Sequence, residues 1–279
     1  MKKVSVILLA AALLLSVVGC KKAENKKLTV AMSPDFAPME FVDTSKTGQE
    51  QYVGFDVTLA NFLADELGME LEIKPMSFDA CMTAVQLGSV DMAISGFSWK
   101  PDRAENFLLS DYYIAGDNET QQSVITVKAK ENTCKTQADF SGWKVGAQAS
   151  SLQEQLVKDE LIPAGAELVV YKSIDDAVLA LQTGKIDALA VAHGNGEAII
   201  ANNPDLAFTG FDFDVDPKYE NNVILLNKSN TEMLEKVNQV LAKAMAAGVY
   251  DGWYEDAKAL AGIPTAADVS YDDDGKPVS

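Results

Sequence analysis

Apolar residues fall at two spacings along the chain. Short runs that alternate or stay continuously apolar read as strands: LTVAM (28–32), MELEI (69–73), VITV (124–127), KVGA (144–147), ELVVY (167–171) and NNVILLN (221–227). Elsewhere the period lengthens to that of an amphipathic helix, from Phe55 to Leu67 with Gly68 as its stop, and from Ser151 to Lys158. A longer helix is expected from Thr231 to Ala247, with Leu234, Val237, Val240, Leu241 and Met245 on one face.

One pattern occurs twice. AVQLGSVDMAI at 84–94 returns as ALQTGKIDALA at 180–190. Ser77 and Ser173 precede the two helical runs as N-cap candidates, and Asp176 gives the second an approximate capping box. Gly88 and Gly184 stand where a left-handed helix stop favours glycine. Each helix then feeds a short apolar run, Val90 to Ile94 or Ile186 to Val191, patterned as a buried parallel strand. Alternating strands and helices predict mostly parallel sheets covered by helices. The duplication predicts two α/β lobes built on one plan.

Composition adds location and charge. A chain of 279 residues with 48% apolar and 23% charged residues can bury a sizeable core. Lys2 and Lys3 precede an apolar run from Val4 to Val18 and then Gly19-Cys20, so residues 1–19 read as a secretory signal, too short for a comfortable transmembrane helix. Removing the two signal lysines leaves a formal charge of 21 − 41 = −20. That balance argues against nucleic acid or anionic lipid as a partner of the body. Cys81 falls in a helical pattern of one half and Cys134 in a polar connector of the other, which favours two separate thiols over a disulfide. Residues 262–279 are acidic, lack periodicity and are expected to be flexible.

The Val17-Val18-Gly19-Cys20 ending resembles the lipobox of bacterial lipoproteins, which implies that Cys20 is lipidated and that residues 20–27 form a hydrophilic tether. A diacylated cysteine suffices for stable anchoring, where a single chain is marginal. The order SPDFAPMEF (33–41), YVGFDVTLANFLADELGMELE (52–72), SFDACMTAVQLGSVDMAISGFSWKPDR (77–103), LLSDYY (108–113), GWKVGAQASS (142–151) and LQTGKIDALAV (181–191) resembles bacterial extracellular solute-binding proteins of family 3. These are the polar amino-acid receptors of ABC importers. NVILLNKSNTEMLEKVNQVLAKAMAAGVYDGWYED (222–256) continues the match, so it covers nearly the whole exported chain. The resemblance implies a two-lobe, periplasmic-binding-protein-like type II fold with two hinge crossings. Lobe 1 is expected over 28–115 plus 222–261, and lobe 2 over 122–214.

It also implies a site in the cleft between the lobes. Ser95, Ser98 and Arg103 keep the family's S-x-x-S-x-x-x-x-R spacing, in which the arginine binds the ligand α-carboxylate. A guanidinium fork matches a carboxylate in two parallel charge-assisted hydrogen bonds. Gly96 could add its N–H; Ser151 could contact ligand or simply cap its own helix. Phe36, Phe78 and Phe97, with Trp99 beside them, are either core residues or the walls that sandwich the ligand. Phe36 stands where the family often has tyrosine.

The family usually holds the ligand ammonium with an acid five positions after the aspartate of G-x-x-D. Counting from Asp187 reaches Ala192, followed by His193. A second frequent acid is Ser33 here, with Asp35 beside the aromatic. Either Asp35, Glu40, Glu197 or backbone carbonyls take over, or the ligand is not a plain α-amino acid. The glycines of HGNG (193–196) bring backbone close to a ligand or form an ordinary strand-to-helix turn.

The resemblance implies a monomeric, lipid-anchored receptor on the extracytoplasmic face, extracellular or periplasmic. It would capture an amino acid or related small carboxylate and dock on an ABC permease. It should need no metal or cofactor, ATP hydrolysis belonging to the partner. One histidine and two separated cysteines lack zinc-ligand spacing. The alternatives are a dehydratase-like enzyme on the same fold, for which Asp35 and Glu40 could form an acid dyad, and a ligand sensor.

Overall fold

The computed structural model describes residues 26–113, 121–265, 270–271 and 277–278. The expected signal, Cys20, most of the tether and much of the tail lie outside the described residues.

Two five-stranded sheets organise the chain. In the first, β1 (Lys27–Met32) lies parallel between β5 (Glu70–Pro75) and β6 (Met92–Ala93), followed by β13 (Leu225–Leu226) and β7 (Leu108–Leu109). The second sheet runs β10 (Glu167–Tyr171), β9 (Lys144–Gln148), β11 (Ala188–Ala192), β8 (Gln122–Val127) and β12 (Leu206–Asp212). The two follow one plan, as the repeat predicts: three parallel strands, an antiparallel fourth, and a fifth antiparallel to the fourth. The exception to parallel pairing is β8 in one sheet and β13 in the other. Each is the first strand of its sheet after the chain has left the other sheet.

Helices cover both sheets. α1 (Phe55–Leu67) ends at Gly68 in the left-handed conformation, φ 64°, and packs Phe55, Leu59 and Leu63 into the first core. α2 (Phe78–Gln86) and α3 (Pro101–Asn106) flank the same sheet. α4 (Leu152–Leu156), α5 (Ile174–Gln182) and α6 (His193–Asn202) belong to the second. α7 (Thr231–Ala247) and α8 (Tyr250–Leu260) return to the first core, where Tyr250, Trp253 and Tyr254 ring Phe55. A small sheet of β2 (Asp35–Phe36), β3 (Glu40–Val42) and β4 (Tyr52–Val53) rides on the first lobe.

Several expectations change. Ser173 caps α5 by accepting from the Asp176 N–H at 3.1 Å, whereas Ser77 caps nothing and donates to Asp79 at 2.5 Å. The strand expected at 90–94 shrinks to two residues, because the Thr29 and Asp91 side chains take over the pairing at its start. That at 221–227 shortens likewise, although Asn222 still bridges to Ser98 and Tyr113. The helix expected to run from Ser151 to Lys158 is α4 followed by a π-helical turn, Val157–Leu161. Met245 is half exposed; Ala244 takes the core position instead. The tail expected from 262 begins inside the body, since Ile263 is buried with Ala198 and Ala261 against Phe41. Cys81 and Cys134 are free and buried.

Candidate functional site

A narrow cleft opens between the sheets. β6 leads into it through Gly96 and Ser98, β9 through Gln148, and β11 through Ala192. Carboxyl ends of strands are where open α/β sheets place ligands. Phe36 and Phe78 also line it, with Ser151, Leu152 and Gln153 at the start of α4, and Gln122 and Asn222 where β8 and the stretch before β13 begin.

Arg103 reaches this cleft from α3 and is only 1% exposed. One terminal nitrogen donates to the Ser98 carbonyl at 2.5 Å, and the other crosses to the Ser150 carbonyl at 3.0 Å. Ser150 is held at φ 65°, an unusual conformation for serine that accompanies this contact. The guanidinium carbon lies 5.5 Å from the Phe78 ring and 5.3 Å from Phe97, which stack on one another at 4.5 Å. Its Nε has no hydrogen-bond partner and no carboxylate forms an ion pair with it among the described residues. Burial lowers its pKa to about 10, so it remains charged at neutral pH.

The other expected residues divide. Ser98, Gly96, Phe36, Phe78, Ser151 and Ala192 line the cleft with Arg103. Phe97 does not: it is fully buried and backs the guanidinium. Ser95 is also fully buried, its Oγ accepting from the Ser33 N–H at 3.0 Å and donating to Glu40, so its proton is not offered to a ligand. Gly96 was expected to offer its N–H, but that group donates to Asp56 at 2.7 Å. Ser151 caps α4, accepting from Glu154 N–H at 3.0 Å and donating to the Gln148 carbonyl at 2.7 Å.

Gly96 has a different task. At φ 54° it adopts a left-handed conformation, and a Cβ there would stand 2.5 Å from Phe36 Cε1. Gly96→Ala should displace the Phe36 ring and, with the backbone penalty of about 1–2 kcal/mol, lower the melting temperature measurably. An unchanged melt and unchanged ligand affinity would show that the close approach is dispensable.

Asp35 lies outside the cleft lining and ties the lobes together. Its carboxylate accepts from the Ile174 N–H at the start of α5 at 2.8 Å, from Gln148 at 3.4 Å and from Ser33 Oγ at 2.9 Å. Burial raises its pKa despite these donors. Asn195 donates to the Ala37 carbonyl at 2.8 Å and Asn202 to that of Ala261 at 3.1 Å, further crossings between lobes. Gly196 serves packing, since a Cβ there would meet Phe208 Cε1 at 2.7 Å.

His193 also lies outside the lining. Its ring stacks on Phe208 at 4.6 Å, and Nδ1 is 2.9 Å from Ser123 Oγ, which donates to Asp212 at 2.5 Å. The serine hydroxyl has one proton, and the carboxylate takes it. His193 Nδ1 then donates to the serine, the tautomer following from the network. A nucleophile triad needs the histidine between serine and acid, so this order does not activate Ser123. Glu197, 3.9 Å from His193 Nε2, is likewise outside the lining.

Beneath Gly96 lies a buried acid pair. Glu40 and Asp56 are both fully buried. Burial pushes the Glu40 carboxyl well above its ordinary range, and the neighbouring Asp56 raises it further. Burial also pushes Asp56 up, to about 6, against the donors Gly96 N–H and Tyr113 OH at 2.7 and 3.1 Å. Glu40 Oε2 and Asp56 Oδ1 otherwise have no donor in reach. A single proton on Glu40, donated to Asp56, satisfies both oxygens.

Periodicity did not single out Ser150, Gln122, Gln153 or Asn222 as lining or contacting this cleft. Residues 28–256 match the model of bacterial extracellular solute-binding proteins, family 3. The fold resembles the amino acid ABC transporter substrate-binding protein AbpA of Streptococcus pneumoniae Canada MDR_19A bound to L-arginine, at 35% identity and TM-score 0.76, over 86% of this chain and 97% of that one. It also resembles an ancestral arginine-binding protein bound to glutamine, at 31% identity and TM-score 0.73, over 83% of this chain and 98% of that one. The arginine-binding extracellular protein ArtP of Bacillus subtilis (strain 168) is 28% identical over 247 residues, 86% of this chain and 92% of ArtP.

Proposed function

The chain belongs to the bacterial extracellular solute-binding proteins, family 3, and on that premise we propose that it is the receptor of an ABC importer. It captures an amino acid or related small carboxylate between its lobes and delivers it to a permease in the cytoplasmic membrane. The observation that carries this reading is Arg103: a buried cation with no acidic partner among the described residues, facing a cleft flanked by Phe36 and Phe78. Such a charge is costly until an anion meets it. A ligand carboxylate supplies one, taking stronger charge-assisted bonds from the guanidinium N–H groups that the Ser98 and Ser150 carbonyls leave free.

Closure follows from the same geometry. Arg103, Asp35 and Asn195 all bond across the cleft, so the described state has its lobes together. The lobes proposed to move are 28–115 with 222–261, and 122–214. A ligand that touches both walls binds the closed form better and shifts the population toward it, which gives the permease a means of telling loaded from empty receptor. Cys20 would hold the monomer at the membrane through its lipid. The order of Ser123, His193 and Asp212 leaves Ser123 without a base to make it a nucleophile.

Small carboxylic acids and their primary amides, screened in pairs by thermal shift, test the reading. A carboxylate present at 100 times its Kd should stabilise the protein by about 2.7 kcal/mol, and its amide should not. Equal shifts from acid and amide would refute the anion site.

A further inference from the structure

We infer that the cleft takes a monoanionic carboxylate without an ammonium or other cationic group, its remaining polar groups being neutral hydroxyl, keto or amide functions. The inference rests on the receptor reading and narrows its ligand.

Charge balance carries the argument. Among the described residues the cleft lining holds one charged side chain, Arg103, and no aspartate or glutamate. Its other polar side chains are the neutral amides of Gln122, Gln148, Gln153 and Asn222 and the hydroxyls of Ser98 and Ser151. A monoanion neutralises this site. A zwitterionic amino acid pairs its carboxylate with the guanidinium but leaves its ammonium without an acid in a closed cleft. A ligand with a cationic side chain leaves more. Unpaired buried ions cost several kcal/mol each.

The acids nearest the cleft are already committed. Asp35 spends one oxygen on the Ile174 N–H and Gln148 and the other on Ser33 Oγ. The N-terminus of α5 favours its charge, against burial and the neighbouring Asp175. Glu40 is bound by Ser95 and pairs with Asp56 behind Gly96, outside the lining. Lys100, the cation nearest Arg103 along the chain, faces Asp102 at 3.9 Å and also lies outside it. Amides fit the remaining ligand groups because each both donates and accepts. Gln153 already donates to Gln122 at 2.6 Å, so amide pairing is part of this wall.

Calorimetry on matched acids tests this. Each pair shares a side chain and differs at the α-carbon, 2-hydroxy or 2-keto against 2-amino, with L-arginine as a further probe. The amine-free member should bind at least about 100-fold tighter, a difference of roughly 2.8 kcal/mol, and L-arginine should give no heat. Ala192→Asp, which puts a carboxylate at the N-cap of α6 in the lining, should reverse the order within each pair. An amino acid that binds the unmodified protein as well as its amine-free counterpart overturns the inference and leaves the receptor reading standing. Failure of every carboxylate, with or without the amine, overturns the receptor reading and this inference with it. The pairwise comparison on the unmodified protein decides the matter even if Ala192→Asp does not fold.

Discussion

Replacing Arg103 by alanine should abolish measurable carboxylate binding while leaving the protein folded. Truncating one partner of a buried charged pair costs about 2–5 kcal/mol, roughly 30- to 4,000-fold in Kd. The unliganded protein should lose much less. Arg103 donates there only to two carbonyls and sits between burial and the Phe78 and Phe97 rings, so deleting it removes packing but also an unneutralised charge. Circular dichroism and melting therefore serve as the control, and calorimetry as the readout. Arg103→Lys keeps the charge yet cannot hold Ser98, Ser150 and a ligand in one planar fork, so it should fall between the two. Undiminished affinity in Arg103→Ala would remove the central support for the proposed site.

What the sequence made legible was what repeats or obeys a period. The duplicated helix, glycine stop and strand foretold two sheets of one plan, and Gly68 and Gly248 end α1 and α7 in left-handed conformations. α8 was not anticipated as a helix, although Tyr250, Trp253, Tyr254 and Ala257 stand at helical spacing. Arg103 stood out only through a family spacing, because a lone arginine has no periodic signature.

The interlobe contacts were not legible at all. Asp35 bonds Ile174 across 139 positions, and Arg103 bonds Ser150 across 47. Such pairs depend on how the two lobes meet, which local pattern does not encode. The same holds for Ser95 and Gly96. The family resemblance marked them as ligand donors, but Glu40 and Asp56, far from them in sequence, take those protons.

That acid pair makes the protein's stability depend on pH in an unusual direction. Glu40's folded pKa lies well above its ordinary value near 4.5, and Asp56's is about 6 against 3.8. A raised carboxyl binds its proton more tightly in the folded chain. Its stabilising contribution is therefore complete below the unfolded pKa and disappears as pH rises through the folded one. Denaturant stability should fall from about pH 3.8, the ordinary value of Asp56, to beyond pH 6, by up to about 1.4 kcal/mol per pH unit per group. Glu40→Gln isolates the first of these groups. Its amide can still accept from Ser95 and donate to Asp56 without titrating, so the variant should be flatter with pH and gain on the parent as pH rises. Glu40→Ala leaves the Ser95 hydroxyl proton and Asp56 Oδ1 without a partner in a fully buried site and should cost about 2–5 kcal/mol at low pH, less as pH rises. Because Asp56 holds the Gly96 N–H and Tyr113 OH, the loss should also loosen the loop that carries Ser98 into the cleft. Parallel pH profiles for the parent and Glu40→Gln would mean that no shared proton links these carboxyls.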